Sequence, residues 1–342
     1  MDDDGPSPGR VVLIGAVHEA LPALQALLAL GVRLTGVVTA PEARSGTMSG
    51  YVDLAVPLVG SDVPILRTGD VNDRACVEHI ARMRPDVIVV VGWSQLVGAA
   101  LLAVPPRGCV GFHASLLPHG RGRAPVNWAV IHGEHVTGNT MMLLAPGADT
   151  GPVLAQRRIP IGPHDTCADI YDAVGRAGAD MLAEQLPRLL AGSARPAAQR
   201  EELATHWPRR TPDMGIIDWD RPAAAVHDWI RAQTAPYPGA FTHRAGRRVM
   251  VWRSVPPRPP DPIGPAGQVL CADVGGLRVG TANGSVLVTE AGDPGGPIEP
   301  AGLWYRRQGW AVGETFDHVD PAVSAWALGL APRPAPLLGA VR

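Results

Sequence analysis

The sequence predicts an α/β protein with a parallel-sheet domain first and a smaller β-barrel domain after it. Two observations predict this fold class. In the first half, continuous apolar runs alternate with helical segments, which is typical of parallel strands buried on both faces. In the second half, short β-like segments are separated by Gly/Pro turns. The chain has 342 residues, and single cores stop growing beyond roughly 250–300 residues, so two domains are expected.

The elements of the first domain follow from these runs in order. The predicted strands are Val11–Ile14, Leu34–Val38, Val63–Leu66, Pro85–Val91 and Gly108–Phe112. The predicted helices are Leu21–Leu30, Asn72–Met83, Ser94–Ala103 and Cys167–Leu190. No G-x-G-x-x-G occurs at the first turn, so a dinucleotide site is not supported.

The second domain is predicted from its short strands, which are Arg248–Arg253, Gly267–Val274, Leu277–Thr281 and Ser285–Thr289. An Ala/Arg/Pro-rich stretch before it reads as a linker. The predicted boundaries are a disordered tail at 1–10, a catalytic domain at 11–200, a linker at 201–213, a barrel at 214–318 and a tail at 319–342.

Composition excludes several function classes. The net charge is −2, which gives no reason to expect nucleic-acid affinity. Every Lys/Arg-type side chain is arginine, so lysine-based covalent chemistry is excluded. The four cysteines are scattered and the histidines lack ligand spacing, so no disulfide framework and no metal site are expected. No apolar run approaches a membrane span and no signal peptide is visible, so we expect a cytoplasmic protein.

Most of the chemistry-bearing residues lie between positions 110 and 156, in three blocks. The first is His113-Ala114-Ser115-Leu116-Leu117-Pro118. The second runs from Arg121-Gly122-Arg123 through Pro125 to Trp128-Ala129, and the third is Asp149-Thr150-Gly151. A histidine directly after a strand lies where open α/β sheets place their ligand crevice. There it can move a proton near neutral pH, and a carboxylate partner would fix its tautomer.

These blocks resemble the H-x-S-L-L-P, R-G-x-x-P-x-x-W-A and D-x-G signature of the folate-dependent formyltransferases. A second block, Pro208–Pro212 with Ile217–Trp219 and Pro238–Phe241, is similar to the C-terminal domain of the tRNA and amino-sugar members. The resemblance implies a Rossmann-like N-terminal domain, an OB-like C-terminal barrel, and 10-formyltetrahydrofolate as cofactor. It implies that His113 is the catalytic acid/base and Asp149 its partner.

The cofactor-binding residues that the resemblance implies form three loops and one side chain. They are Gln95, Leu96 and Val97; Ser115, Leu116, Leu117 and Pro118; Ala145, Pro146, Gly147 and Ala148; and Arg123. Each feature also has a plain structural interpretation. A histidine after a strand is often a core residue, Ala-Asp-Thr-Gly is ordinary turn chemistry, and Arg121 and Arg123 are compatible with a solvated pair.

One position departs from the family pattern, which usually reads N-x-H with the asparagine amide stabilising an oxyanion. Here Gly111 stands two residues before His113, and deleting one oxyanion donor typically costs about 10²–10³ in rate. Asn127, Asn139 and Gln95 are candidate substitutes, as are a backbone N–H and a water molecule. A folate-binding module without catalysis is a further interpretation.

The substrate prediction rests on the segment Thr39–Gly60, where tRNA formyltransferases carry a basic insertion. This segment contains a single arginine and two acids, whereas phosphate contacts need clustered positive charge. We therefore expect an N-formyltransferase acting on a small-molecule amine, an amino-sugar nucleotide or a natural-product precursor. We expect no nucleic-acid partner, and a homodimer is compatible with the sequence. Methionyl-tRNA formyltransferase is the alternative.

Overall fold

The structure is a computed structural model that describes residues 9–258 and 261–335. The strands are β1 (Arg10–Gly15), β2 (Arg33–Thr39), β3 (Ile65–Arg67), β4 (Val87–Val91), β5 (Cys109–His113), β6 (Arg121–Gly122), β7 (Val136–Leu143), β8 (Val153–Pro160), β9 (His206–Trp207), β10 (Ala240–Arg244), β11 (Arg247–Val255), β12 (Val269–Asp273), β13 (Gly276–Thr281), β14 (Gly284–Gly292) and β15 (Glu299–Pro300). The helices are α1 (Ala20–Ala29), α2 (Arg74–Arg82), α3 (Ala99–Leu102), α4 (Pro125–Ile131), α5 (Cys167–Leu190), α6 (Ala223–Arg231), α7 (Ala301–Arg307) and α8 (Pro321–Ala327).

The described residues form two compact units. Unit 1 comprises the described parts of Met1–Pro125, Thr137–Pro160 and Tyr171–His206, and unit 2 those of Val126–Val136, Ile161–Ile170 and Trp207–Arg342. Two segments of unit 2 therefore lie in the chain before the linker predicted at 201–213. Residues 1–8 and 336–342, in the two predicted tails, lie outside the described residues, whereas α8 occupies part of the second predicted tail.

Unit 1 is built on one sheet with the strand order β3-β2-β1-β4-β5-β7-β8. The pairs from β3 to β5 are parallel, and β7 joins β5 antiparallel. The connection from β3 to β4 returns across β1 and β2, so the order reverses between β1 and β4, as in doubly wound sheets. The predicted α/β class is confirmed.

The apolar runs explain this sheet. All five residues of Val87–Val91 are buried, because alternate side chains enter two different cores. Val11 and Leu13 join Val87, Val89 and residues of α1 and α5 on one face. The alternate residues of the same strands join residues of α2 and α3 on the other face. Both faces are therefore covered, and ligands can reach the sheet only at its strand ends.

One predicted helix is much shorter in the structure. The segment Ser94–Ala103 is helical only over Ala99–Leu102. The side chain of Asn72 explains the difference, because its Nδ2 donates to Leu96 O (2.9 Å) and its Oδ1 accepts from Gly98 N (2.7 Å). These bonds hold residues 94–98 as a loop at the end of β4.

Unit 2 contains an antiparallel sheet in the order β10-β11-β14-β13-β12, with β15 beside β14. The predicted second β domain is therefore confirmed as an antiparallel sheet. The guanidinium of Arg210 lies between the rings of Trp128 and Trp229, 4.7 and 5.0 Å from their centroids. Trp128 belongs to α4, which explains why this helix belongs to unit 2 although it precedes β7 in the chain.

Among the residues that the structure describes, we find no helix with the length and apolar character that crossing a bilayer requires.

Candidate active site

His113 is the last residue of β5 and is 8% exposed. Its Nε2 lies 2.7 Å from Gly120 O, which is a hydrogen-bond acceptor. The other ring nitrogen, Nδ1, lies 3.5 Å from Asp149 Oδ1. Because a carbonyl only accepts, Nε2 carries the hydrogen and, in the neutral ring, Nδ1 carries the lone pair. The lone pair thus points toward the space beside Asp149.

Asp149 lies in the loop between β7 and β8 and is fixed by bonds of its own. Its φ is 56°, a left-handed conformation that aspartate tolerates better than most residues. Its Oδ2 accepts from Gly122 N at 2.9 Å, which leaves Oδ1 free to face His113. Gln199 Nε2 donates to the carbonyls of Asp149 (2.8 Å) and Gly151 (2.7 Å). The structure therefore brings the two predicted catalytic residues together.

The predicted folate loop Ser115–Pro118 is anchored from beneath by β7 and β8. Thr140 Oγ1 donates to Ser115 O (2.7 Å) and accepts from Leu117 N (3.1 Å). Gln156 Nε2 donates to Leu117 O (2.7 Å) and to Thr140 Oγ1 (2.9 Å). The hydroxyl of Ser115 donates to His119 O at 2.7 Å. Leu117 is buried, and Leu116 and Pro118 are half-buried.

The loop Gln95–Val97 follows β4, the neighbour of β5. The side-chain amide of Gln95 is held at both ends: Oε1 accepts from Val71 N and Trp93 Nε1 (both 3.2 Å), and Nε2 donates to Gly69 O (2.9 Å). Val97 is buried, but the side chain of Leu96 is 62% exposed. This loop therefore presents backbone groups and an apolar side chain rather than the Gln95 amide.

The loop Ala145–Ala148 follows β7 and has exposed residues at Pro146, Gly147 and Ala148. Thr150 Oγ1 donates to Gly147 O at 3.1 Å and closes it as a turn. It leads directly to Asp149, so the predicted cofactor loop and the carboxylate belong to one segment.

The two arginines of the second block have different surroundings. Arg121 is 2% exposed, and its guanidinium donates to both carboxylate oxygens of Glu201 and twice to Gln199 Oε1. This contact holds the pKa of Glu201 below its usual range. Arg123 is exposed, and its Nη1 donates to Ser94 O at 3.3 Å. Arg121 is thus a structural residue, whereas the exposed Arg123 contacts the loop after β4.

The two asparagines considered as oxyanion donors are engaged elsewhere. Thr140 pairs with His113 across β5 and β7, so these two side chains share a face of the sheet. Asn139, the preceding residue, lies on the opposite face, where its Nδ2 donates to Val174 O of α5 at 2.9 Å. Asn127 Nδ2 donates to Ala232 O at 2.6 Å. The structure therefore does not bring the Asn139 amide to His113, because alternate residues of a strand face opposite sides.

Gly111 lies on the same face as His113, since it pairs with Met142 in the same register. A Cβ built there would lie 2.4 Å from Leu144 Cδ2. The space beside the Gly111 backbone is therefore occupied by a leucine side chain.

Sequence reasoning missed Thr140, Gln156, Gln199 and Glu201, which hold the site in place. Their sequence distances from their partners range from 16 to 80 residues. No local pattern reports such bonds. The one available signal is a run of polar residues, Thr137–Thr140, inside an otherwise apolar stretch.

Comparison with known proteins identifies the family of the chain. The formyl transferase family model matches residues 36–186, and the model of the formyl transferase C-terminal domain matches residues 209–309. The chain is 39% identical over 288 residues to the methionyl-tRNA formyltransferase of Pelobacter propionicus (strain DSM 2379 / NBRC 103807 / OttBd1), covering 83% of this chain and 88% of that one. It is 36% identical over 311 residues to the enzyme of the same name from Moorella thermoacetica (strain ATCC 39073 / JCM 9320), covering 89% and 98%.

Among solved structures, the fold is similar to HypX from Aquifex aeolicus in complex with tetrahydrofolic acid. The TM-score is 0.65 and the identity 19%, over 91% of this chain and 49% of that one. The chain thus spans about half the length of HypX, and the likeness concerns the fold.

These relatives correct the substrate prediction. The predictions of a small-molecule amine substrate and of no nucleic-acid partner are wrong, because relatives at 32–39% identity over most of the chain are methionyl-tRNA formyltransferases. The low positive charge of the single segment Thr39–Gly60 does not represent the whole surface of the chain. Binding to a polyanion sums contacts over a whole surface, and the chain has 30 basic residues in all.

Proposed function

Because the chain belongs to the formyl transferase family, we propose that it transfers the formyl group of 10-formyltetrahydrofolate to the α-amino group of methionyl-tRNA. The observation that carries this proposal is the 39% identity to a methionyl-tRNA formyltransferase over 83% of the chain. The geometry of His113 and Asp149 supports the same reaction class.

His113 acts as the proton shuttle. Its Nδ1 lone pair accepts the proton that the attacking amine loses, and the ring later returns a proton to the leaving folate nitrogen. Gly120 O holds Nε2 at 2.7 Å, which fixes the tautomer in which Nδ1 is free. Asp149 stabilises the positive charge that the ring gains, as the carboxylate does in a serine protease triad. After Nδ1 has taken up the proton, the 3.5 Å separation of Nδ1 and Oδ1 leaves the Nδ1 hydrogen accessible to the leaving folate nitrogen.

The strand ends around His113 fit a folate. The bound folate supplies an activated formyl group. The exposed Leu96 side chain offers an apolar surface to a flat ring. The turn at Pro146–Ala148 leaves backbone groups exposed, which suits a ring edge rich in donors and acceptors. The bonds that Gln95, Thr140 and Gln156 make within the protein hold these loops before any ligand binds.

The test is formylation of methionyl-tRNA by the purified chain with 10-formyltetrahydrofolate, detected as formyl-methionine after release from the tRNA. His113→Ala is expected to abolish turnover while 5-formyltetrahydrofolate still binds. The matched control is His79→Ala, an exposed histidine on α2, which should retain normal activity. Unacylated tRNA and free methionine complete the controls. A purified, folded chain that leaves methionyl-tRNA unmodified would refute the proposal.

A further inference from the structure

The site holds no side-chain amide beside His113 at the position of Gly111, and this raises the question of which group stabilises the oxyanion. The inference rests on the proposed function. When an amine attacks a formyl carbon, negative charge develops on the formyl oxygen. A fixed donor or cation at that oxygen is usually the largest single contribution to the rate.

An amide cannot occupy the usual place without rearrangement. A Cβ at Gly111 would lie 2.4 Å from Leu144 Cδ2 and 3.0 Å from Leu144 Cγ. Leu144 packs against the core on the His113 face of the sheet, beside strand residues such as Val90, and its backbone N–H donates to Cys109 O at 2.7 Å. The surface beside the Gly111 backbone is therefore apolar.

The neighbouring side-chain amides are engaged in structural bonds. The Gln95 amide bonds Gly69, Val71 and Trp93. The Gln156 Nε2 group donates to Leu117 O and Thr140 Oγ1. Thr140 Oγ1 itself already takes part in three hydrogen bonds. Recruiting any of these groups would release a loop of the site.

Arg123 stands in a different situation. It follows Gly122, whose N–H donates to Asp149 Oδ2 at 2.9 Å, and its guanidinium reaches Ser94 O, in the loop after β4. Because β5 lies between β4 and β7 in the sheet, a side chain that spans from Asp149 to Ser94 crosses the end of β5. The Arg123 side chain therefore runs from beside Asp149 to the loop after β4, so its two anchors flank the strand that ends at His113.

The Arg123 guanidinium has N–H donors available for a ligand. It carries five N–H groups, of which one donates to Ser94 O at 3.3 Å. Within residues 9–258 and 261–335, no carboxylate forms an ion pair with it. We propose that Arg123 is a catalytic residue whose guanidinium binds the formyl oxygen and stabilises the oxyanion in place of an amide at position 111.

The amine nitrogen bonds to the formyl carbon, and the carbonyl π pair moves to the oxygen, where an Arg123 N–H donates to it. His113 Nδ1 takes the proton from the amine. The oxygen pair then re-forms the carbonyl, the bond from carbon to the folate nitrogen breaks, and His113 returns the proton to that nitrogen.

The first experiment compares Arg123→Ala with the wild type in the formylation of methionyl-tRNA. We expect kcat to fall about 10²–10³-fold, as for other oxyanion donors, while KM for 10-formyltetrahydrofolate and the affinity for 5-formyltetrahydrofolate change less than about threefold. Added guanidinium ion should restore part of kcat, whereas the same concentration of sodium chloride should not. The matched control is Arg74→Ala, an arginine on α2 whose side chain is 91% exposed.

A loss confined to KM or to folate affinity would overturn the assignment and make Arg123 a folate ligand. Hydroxylamine as the acceptor separates this proposal from the proposed function, because it attacks the formyl carbon through the same oxyanion but makes no tRNA contact. A loss with methionyl-tRNA but not with hydroxylamine would also overturn it. A wild type that formylates hydroxylamine but not methionyl-tRNA would refute the proposed function alone.

A second test places an amide donor at position 111. In an Arg123→Ala background, Gly111→Asn combined with Leu144→Ala supplies an amide and removes the leucine that blocks it. We expect this triple variant to recover at least tenfold in kcat, whereas Leu144→Ala alone in the same background recovers none. Thermal unfolding establishes that each variant is folded. Absence of recovery in a folded triple variant contradicts the proposal.

Discussion

The substitution Asp149→Asn tests the catalytic pair most directly because it changes charge with little change in shape. Asparagine tolerates the left-handed backbone at φ 56°, and its carbonyl oxygen can still accept from Gly122 N. Its NH₂ group would then face His113 and donate to the Nδ1 lone pair. The ring would lose both the carboxylate that stabilises its positive charge and the lone pair that accepts the proton.

The magnitude follows from the distances. The corresponding change in a serine protease triad lowers kcat about 10⁴-fold. Here Nδ1 lies 3.5 Å from Oδ1, beyond ordinary hydrogen-bond length, and Gly120 O independently orients the ring. We therefore expect a smaller loss in kcat, about 10²–10³-fold, measured as initial rates with saturating methionyl-tRNA and 10-formyltetrahydrofolate.

Stability separates this effect from damage to the loop. Asp149→Asn should unfold in urea within about 1 kcal/mol of the wild type, since the bond from Gly122 survives. Asp149→Ala leaves that N–H unpaired and should lose about 1–3 kcal/mol. Asp213→Asn, an exposed carboxylate in unit 2, serves as the control. An Asp149→Asn protein that keeps its kcat within threefold would refute the role given to this carboxylate.

Two further predictions concern stability, and a third concerns the loop that carries Asp149. Burial lowers the pKa of His227, so as the pH falls below about 6.5 the unfolded chain takes up a proton before the folded chain does. The contribution of His227 to stability is therefore full above that pH and declines below it. His227→Gln should flatten this decline in urea unfolding measured between pH 7.5 and 5. Burial also lowers the pKa of Arg210 to about 10, and its guanidinium donates to two carbonyls and a glutamine oxygen. Arg210→Ala leaves these acceptors unpaired and should lower the free energy of unfolding by about 2–4 kcal/mol in calorimetry. An unchanged Tm would contradict the packing described for Arg210. Gly151→Ala places a Cβ 1.7 Å from Leu143 O and should displace the Asp149 loop and lower kcat at least tenfold, while Gly46→Ala, with nothing within 4 Å, should leave kcat unchanged.

The sequence predicts much of unit 1 because its signals are local. Every residue of the run Val87–Val91 is apolar, so both faces of the strand must be buried. The run therefore predicts a central strand from local sequence alone. The helix Cys167–Leu190 has the bounds expected from its periodicity. The motifs predict His113 and Asp149 as a pair, and the structure brings their side chains within 3.5 Å.

What the sequence did not reveal depends on long-range bonds. The strand β7 contains three buried polar residues, Thr137, Asn139 and Thr140. They interrupt the apolar run by which a buried strand is predicted from sequence. Asn139 and Thr140 can be buried because they donate hydrogen bonds to helix α5 and to the loop after His113. Gln199 lies two residues before the predicted linker, yet it bonds the backbone on both sides of Thr150. Only the folded chain brings these groups together.

The corrected substrate gives a quantitative expectation for salt. Each phosphate contact made by an arginine contributes a slope of about 0.7–0.9 to the dependence of log affinity on log salt. Raising salt from 50 to 200 mM therefore weakens binding about threefold for each contact, and four contacts would raise KM for methionyl-tRNA roughly 50- to 150-fold. The low charge of Thr39–Gly60 does not reduce this expectation, because those contacts can come from any arginine on the tRNA-binding surface. With hydroxylamine as the acceptor, the same change of salt should alter the rate far less. If KM for methionyl-tRNA stayed constant across this range, binding would not depend on phosphate contacts, and the expectation that arginines of this chain bind the tRNA phosphates would be refuted.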